Sequence, residues 1–235
     1  GLLREASADR LSSCELVPHE ALELVLQHIP SARSPGVGAA PWYLLVELTS
    51  SGEDELDALL EAVLASALAR GLVLDAVIAH SEARRENLWR LRESIPEAQR
   101  LAGGSLKHDI SVPIAAVPAF IEQGAALIEQ LVPEGFLVAY GHIGDGNLHF
   151  NVNQRPGTVR DSFLQHESAL KRAVHDLVAR HGGSFSAEHG IGQLKVEELE
   201  RYAAPAELAA MRRIKLALDP NGIMNPGKIL KRSAT

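Results

Sequence analysis

The sequence predicts an α+β fold: an antiparallel sheet with helices on one face, plus a C-terminal helical segment. Three observations lead there. Segments of strand and helix periodicity alternate along the 235 residues. The one connection the sequence makes explicit, around Asp145-Gly146, is an antiparallel hairpin and not a parallel crossover. Apolar residues make up 46% and charged residues 23% of the chain, values that exclude wholesale disorder.

In chain order, Cys14 to Val17 reads as a short strand. Glu20 to Ile29 reads as a helix with Leu22, Val25, Leu26 and Ile29 on one face. The Ser-, Pro- and Gly-rich stretch from Ser31 to Pro41 is a loop, and the apolar run Trp42 to Leu48 a strand. Glu53 to Arg70 carries acidic residues in its first turn and Gly71 just past its end, which suits a helix. Leu72 to Ala79 reads as a strand, and Ser81 caps a helix running to about Arg100. Leu106 to Val112 is a strand, followed by a helix from Ile114 to Leu131. Phe136 to Gly141 and Leu148 to Val152 flank the tight turn, and Val159 to Arg180 is one long helix before Gly182-Gly183. Val196–Tyr202 and Pro205–Leu218 are helical, and Asp219-Pro220-Asn221-Gly222 turns into a short tail.

Charge and composition narrow the function classes. The 23 Lys and Arg against 30 Asp and Glu leave a net charge of −7 without a basic block, so nucleic acid is not an expected partner. No apolar run approaches the ~20 residues that span a bilayer. Cys14 is the only cysteine, which excludes an internal disulfide and a Cys-based zinc ribbon, and a reducing, cytoplasmic setting is expected. The sequence opens at Gly1 with no signal pattern, so it is expected to be a piece of a longer polypeptide.

The hairpin carries the chemistry. Asp145-Gly146 fits a two-residue type I′ turn, which would set His142 opposite His149 on one face, a pairing that a four-residue loop is also expected to leave. Leu148, Phe150 and Val152 would then point into the core, and His149, Asn151 and Asn153 to the other face with His142 and Tyr140. Farther along, Glu188-His189 sits in a Gly-flanked segment, Ser184 to Gly192. Two imidazoles and a carboxylate (His142, His149 and Glu188) suit a divalent first-row metal with positions left for substrate. His189 is then a candidate general base. The residues taken alone leave open a pair of surface histidines with a locally paired Glu188. They also leave open a metal-dependent hydrolase or a non-haem iron oxygenase using the same set, and a non-catalytic interaction domain.

Gly141-His142-Ile143-Gly144-Asp145-Gly146-Asn147-Leu148-His149, Ala187-Glu188-His189-Gly190-Ile191-Gly192 and the segment from Asp219 to Lys228 resemble the C-terminal domain of FAD-linked oxidases. The branch is the one that holds D-lactate dehydrogenase, D-2-hydroxyglutarate dehydrogenase and the glycolate oxidase catalytic subunit. The resemblance spans essentially the whole chain, with the three motifs in order. It implies a ferredoxin-like cap over the flavin of a separate N-terminal FAD-binding domain. Residues 1–200 would form the cap, and 201–235 a helix and tail returning to the flavin domain. The glycine-rich pyrophosphate loop is absent, since Ser34-Pro35-Gly36-Val37-Gly38 opens no helix. FAD would therefore be bound mainly outside this chain, which is not expected to be active alone.

The same resemblance implies roles residue by residue. His142, His149 and Glu188 match metal ligands, with Zn first and Mn or Fe as alternatives. His189 matches the base. Arg92, Lys107 and Asn151 match substrate contacts, a guanidinium and an ammonium being suited to a carboxylate. Asn225 and Lys228 match flavin contacts in the tail. Pro96 departs from the D-2-hydroxyglutarate branch, which tends to carry a hydroxyl residue there for a second carboxylate; Ser94 is the nearby hydroxyl. The implied activity is oxidation of a small D-2-hydroxy acid to the 2-oxo acid with hydride passing to FAD. The implied partners are that substrate, the N-terminal flavin domain and a second copy in a homodimer.

Overall fold

The computed structural model describes residues 2–52 and 56–231. Helix α1 (Leu2–Ser7) leads through a short 3-10 turn into β1 (Leu11–Pro18), α2 (His19–His28), β2 (Trp42–Leu48) and α3 (Leu56–Ala69). Then come α4 (Glu82–Glu93), α5 (Ile95–Ala102), β3 (Ser105–Leu106), β4 (Asp109–Ser111) and α6 (Val117–Leu131). The hairpin strands are β5 (Gly135–His142) and β6 (Asn147–Gln154), followed by α7 (Arg160–Leu164), α8 (Glu167–Arg180), α9 (Val196–Tyr202) and α10 (Pro205–Leu218). The strands lie in the order β2-β1-β5-β6-β3, with β4 also on β6, and every pairing is antiparallel.

The antiparallel α+β sheet is as predicted, but helices cover both of its faces. Strand alternation sends Ala139, Leu148, Phe150 and Val152 to a core shared with Phe120 and Ile128 of α6 and Val174 and Leu177 of α8. Val138 and Tyr140 point the opposite way, to a core built with Ala21 and Val25 of α2, Leu91 of α4 and Ile95 and Ala98 of α5. Burying two faces of one strand requires a helical layer on each.

Several predicted boundaries shift for identifiable reasons. The long helix expected from Ser81 to Arg100 is two helices. Pro96 has no N–H to give Arg92 and its ring crowds the preceding turn, so the chain restarts at Ser94. The expected strand Leu72–Ala79 is irregular: the run finds no ladder partner among the described residues, and Leu72 and Leu74 stand exposed. The helix expected from Val159 to Arg180 breaks between α7 and α8, beside His166, whose Nε2 lies 3.3 Å from Glu134 Oε2. The strand expected from Leu106 to Val112 keeps one register along β6, Leu106 opposite Val152 and Asp109 opposite His149. It is interrupted where the His108 N–H donates to the Asn151 side chain at 3.2 Å instead of to backbone. The start of the helix predicted from Glu53 lies outside the described residues.

Candidate functional site

The polar face of the β5–β6 hairpin meets the Ser184–Gly192 segment and the C-terminal end of α4. Its register differs from the sequence reading. Tyr140, not His142, lies opposite His149. A type I′ turn would need positive φ at Asp145, and Asp145 does not have it. The loop instead runs over four residues, 143–146, with the Asp145 carboxylate accepting the Asn147 N–H at 3.0 Å. The cause is tertiary. The end of β5 leaves β6 for β1, so that Gly141 pairs with Leu16 and His142 with Glu15, while Val112 N–H donates to Gly146 O at 3.0 Å.

That pairing sets His142 against Glu15, which is 1% exposed. Glu15 Oε1 accepts from His142 Nδ1 at 2.5 Å, and Oε2 from Arg92 Nε at 2.6 Å. The Arg92 guanidinium lies 4.8 Å from the centre of the Tyr140 ring, a cation–π contact. Its terminal nitrogens hydrogen-bond to no described residue. On the far side of the His142 ring, Nε2 stands 3.2 Å from Glu188 Oε1, which also accepts from Asn147 Nδ2 at 2.5 Å.

Glu188 and His189 are held from β4. Asp109, with a side chain 4% exposed, accepts the N–H groups of Glu188 and His189 on Oδ2 at 3.0 and 2.9 Å. The same oxygen is 3.5 Å from His189 Nδ1 and 3.9 Å from Lys195 Nζ. Burial pushes the Asp109 carboxyl up, but the two amides and the charges of His189 and Lys195 outweigh it and hold it below the ordinary value. The His149 ring packs against Tyr140, centres 4.8 Å apart and planes inclined by 40°, and its centre lies 6.4 Å from that of His189. Burial, then the Arg92 charge, lowers its pKa against the opposing pull of Glu188 and Asp109, favouring neutral imidazole.

The other sequence-predicted residues divide. Lys107 is exposed between β3 and β4 rather than inside a strand, and its ammonium meets no described partner. Asn151 is 3% exposed, with its side-chain amide donating to Gln99 at 3.1 Å and accepting from the His108 N–H. Asn225 and Lys228 lie in the tail beside the 190s loop: Lys228 donates to Gln193, and Ile229 N–H to Gly192 O at 2.7 Å. Sequence reasoning missed Glu15, Asp109 and Asn147. Buried acids inside strands are the available signal for the first two, because an unpaired buried carboxylate is costly.

The donor set suits a divalent cation. His142 Nε2 and Glu188 Oε1 already converge, and His149 favours the neutral form that coordinates. The other nitrogen of His142 is held by a carboxylate, the usual support of a metal-bound imidazole. Among the described residues one trio, Asp109, Glu188 and His189, has ligand atoms all within 4.8 Å of one another; the expected set His142, His149 and Glu188 does not come that close together and shares only Glu188 with it. The buried Asp109 Oδ1 and Asn147 Oδ1 have no hydrogen-bond partner among the described residues.

Comparison with known proteins agrees with this architecture. D-2-hydroxyglutarate dehydrogenase of Xanthomonas citri pv. viticola is 39% identical over 223 residues, covering 94% of this chain and 46% of the relative. The mitochondrial D-2-hydroxyglutarate dehydrogenase of Arabidopsis thaliana is 36% identical over 223 residues, 95% of this chain and 38% of that protein. The chain thus spans less than half the length of these relatives. Among solved structures, p-cresol methylhydroxylase with substrate bound superposes with a TM-score of 0.63 at 14% identity, over 98% of this chain and 49% of that one. The 4-ethylphenol oxidase of Gulosibacter chungangensis gives 0.63 at 15% identity, over 94% and 47%. These two likenesses speak for the fold. With the family profile of FAD linked oxidases, C-terminal domain, matching residues 2–229, the chain belongs to that family.

Proposed function

We propose that this chain is the substrate- and metal-binding part of a flavin-dependent dehydrogenase that oxidises a small D-2-hydroxy acid to the 2-oxo acid. The observation that carries the reading is the convergence of His142, Glu188, His189 and the Arg92 guanidinium on one polar sheet face, in a chain whose relatives are named D-2-hydroxyglutarate dehydrogenase. When bound, FAD would supply the hydride acceptor and a divalent metal, zinc first, the Lewis acidity that lowers the hydroxyl pKa. His142, His149 and Glu188 would hold that metal.

The chain's own residues position substrate and move a proton. Arg92 is anchored through Nε and keeps its terminal nitrogens for a carboxylate, with the unpartnered Lys107 ammonium as the second clamp. Asn151, its side chain fixed by Gln99 and the His108 N–H, would be the further substrate contact on this face. His189 accepts the hydroxyl proton on Nε2, with the Asp109 carboxylate beside Nδ1 favouring the imidazolium that forms. The tail carrying Asn225 and Lys228 would meet the flavin. Exposed Leu194, Ile214, Leu218 and Ile223 around it offer an apolar surface to an N-terminal flavin domain.

The test is turnover of the full-length protein with D-lactate and D-2-hydroxyglutarate. The wild type should reduce its flavin with at least one of them. His189→Ala should lose roughly 10²- to 10⁴-fold in kcat, the usual contribution of a general base. Undiminished turnover of His189→Ala removes His189 from the chemistry.

A further inference from the structure

We infer that Glu15 is the positioning residue that ties the metal pole of the site to its carboxylate pole, an inference that rests on the functional reading above. Glu15 stands on β1 opposite His142 in the strand ladder, its side chain 2% exposed. Its two carboxylate oxygens serve two different side chains. Oε1 takes the His142 Nδ1 proton at 2.5 Å and Oε2 the Arg92 Nε proton at 2.6 Å.

Each bond leaves one working end free. An imidazole that donates from Nδ1 presents the lone pair of Nε2, which here faces Glu188 at 3.2 Å. A guanidinium held by Nε, and stacked on Tyr140 at 4.8 Å, presents its planar pair of terminal nitrogens, the edge that matches a carboxylate in a bidentate bond. Both are set by one buried anion on a sheet strand, and the span between the two oxygens of a single carboxylate fixes their separation. Taking this carboxylate from water is costly, and the Arg92 charge with the His142 bond offsets that cost. An apolar side chain at position 15 would fill the space and aim neither group.

The experiment compares Glu15→Gln and Glu15→Asp with wild type in the full-length protein. Zinc affinity is read by chelator competition, KM and kcat with D-lactate and D-2-hydroxyglutarate, and the protonated ring nitrogen of His142 by ¹⁵N chemical shifts. Glu15→Gln should weaken zinc binding roughly 10- to 100-fold, the usual effect of losing an outer carboxylate, and should raise KM at least about 10-fold by freeing the Arg92 guanidinium. His142 should lose its fixed Nδ1–H form. In an Arg92→Lys background, Glu15→Gln should still weaken zinc but no longer raise KM. If Glu15→Gln does not fold, Glu15→Asp carries the test: one methylene shorter, it reaches one partner and should lose one of the two effects.

Wild-type zinc affinity, KM and His142 shifts in a folded Glu15→Gln protein overturn the inference, and so does a Glu15→Gln effect confined to one pole. Wild-type protein that binds no zinc and oxidises neither acid overturns the reading of the site itself, a different and separable result.

Discussion

Replacing Asp109 by Ala should release the segment that carries Glu188 and His189. Two backbone N–H groups, of Glu188 and His189, converge on Oδ2 at 3.0 and 2.9 Å, and Asp109 O also accepts the Ala187 N–H at 3.3 Å. The last bond is main-chain and survives the substitution. Each hydrogen bond to a charged acceptor is worth about 1.5–3 kcal/mol. Because the loop is only part-buried, the freed amides regain water, and we take about 3 kcal/mol for the pair. That is roughly a 100-fold fall in the hydrogen-exchange protection of these two amides. Exchange measured by mass spectrometry or NMR checks it, with β6 amides as the internal reference. Asp109→Asn, which keeps an acceptor without the charge, should fall between.

The pH dependence follows from the same bonds. The Asp109 carboxyl is held below its ordinary 3.8 despite burial, so its contribution is complete above about pH 4 and is lost as pH falls through the folded value. The gap between wild type and Asp109→Asn should therefore persist from pH 8 to 5 and close in stronger acid. Unchanged protection in Asp109→Ala would show that the segment is held by something other than the β4 carboxylate.

Two further outcomes test the fold. At Gly146, φ is +80° and a Cβ would sit 1.9 Å from the Val112 carbonyl oxygen, so Gly146→Ala should cost at least about 3 kcal/mol in urea unfolding. Gly144→Ala, with nothing within 4 Å, should stay within about 0.5 kcal/mol. Burial pushes the His108 imidazole down to about 4 from 6.5 against the Phe150 carbonyl it donates to. The unfolded chain therefore binds the extra proton first, and stability should fall as pH drops from about 6.5 toward 4, by up to about 3 kcal/mol. Urea midpoints of His108→Gln should show a correspondingly flatter pH profile.

What the sequence alone determined is what local periodicity encodes. Trp42–Leu48, Val196–Tyr202 and Pro205–Leu218 match their observed elements, because an apolar run, helical periodicity and Pro at a first turn act within a few residues. The alternation along β6 likewise assigned Leu148, Phe150 and Val152 to the core, since a strand's side chains can only take turns between its two faces. Three motifs in order carried the family.

Tertiary pairing decided the rest. Leu72–Ala79 has a strand's composition but, among the described residues, no neighbouring strand to complete its hydrogen bonds. The hairpin's register turned on β1, which draws His142 away from β6 and onto Glu15, 127 positions earlier in the chain. No short-range pattern reports a partner at that distance. A two-residue change of register keeps each side chain on its face while replacing the one it meets, so the polar face could be read from sequence but not who stands opposite whom upon it.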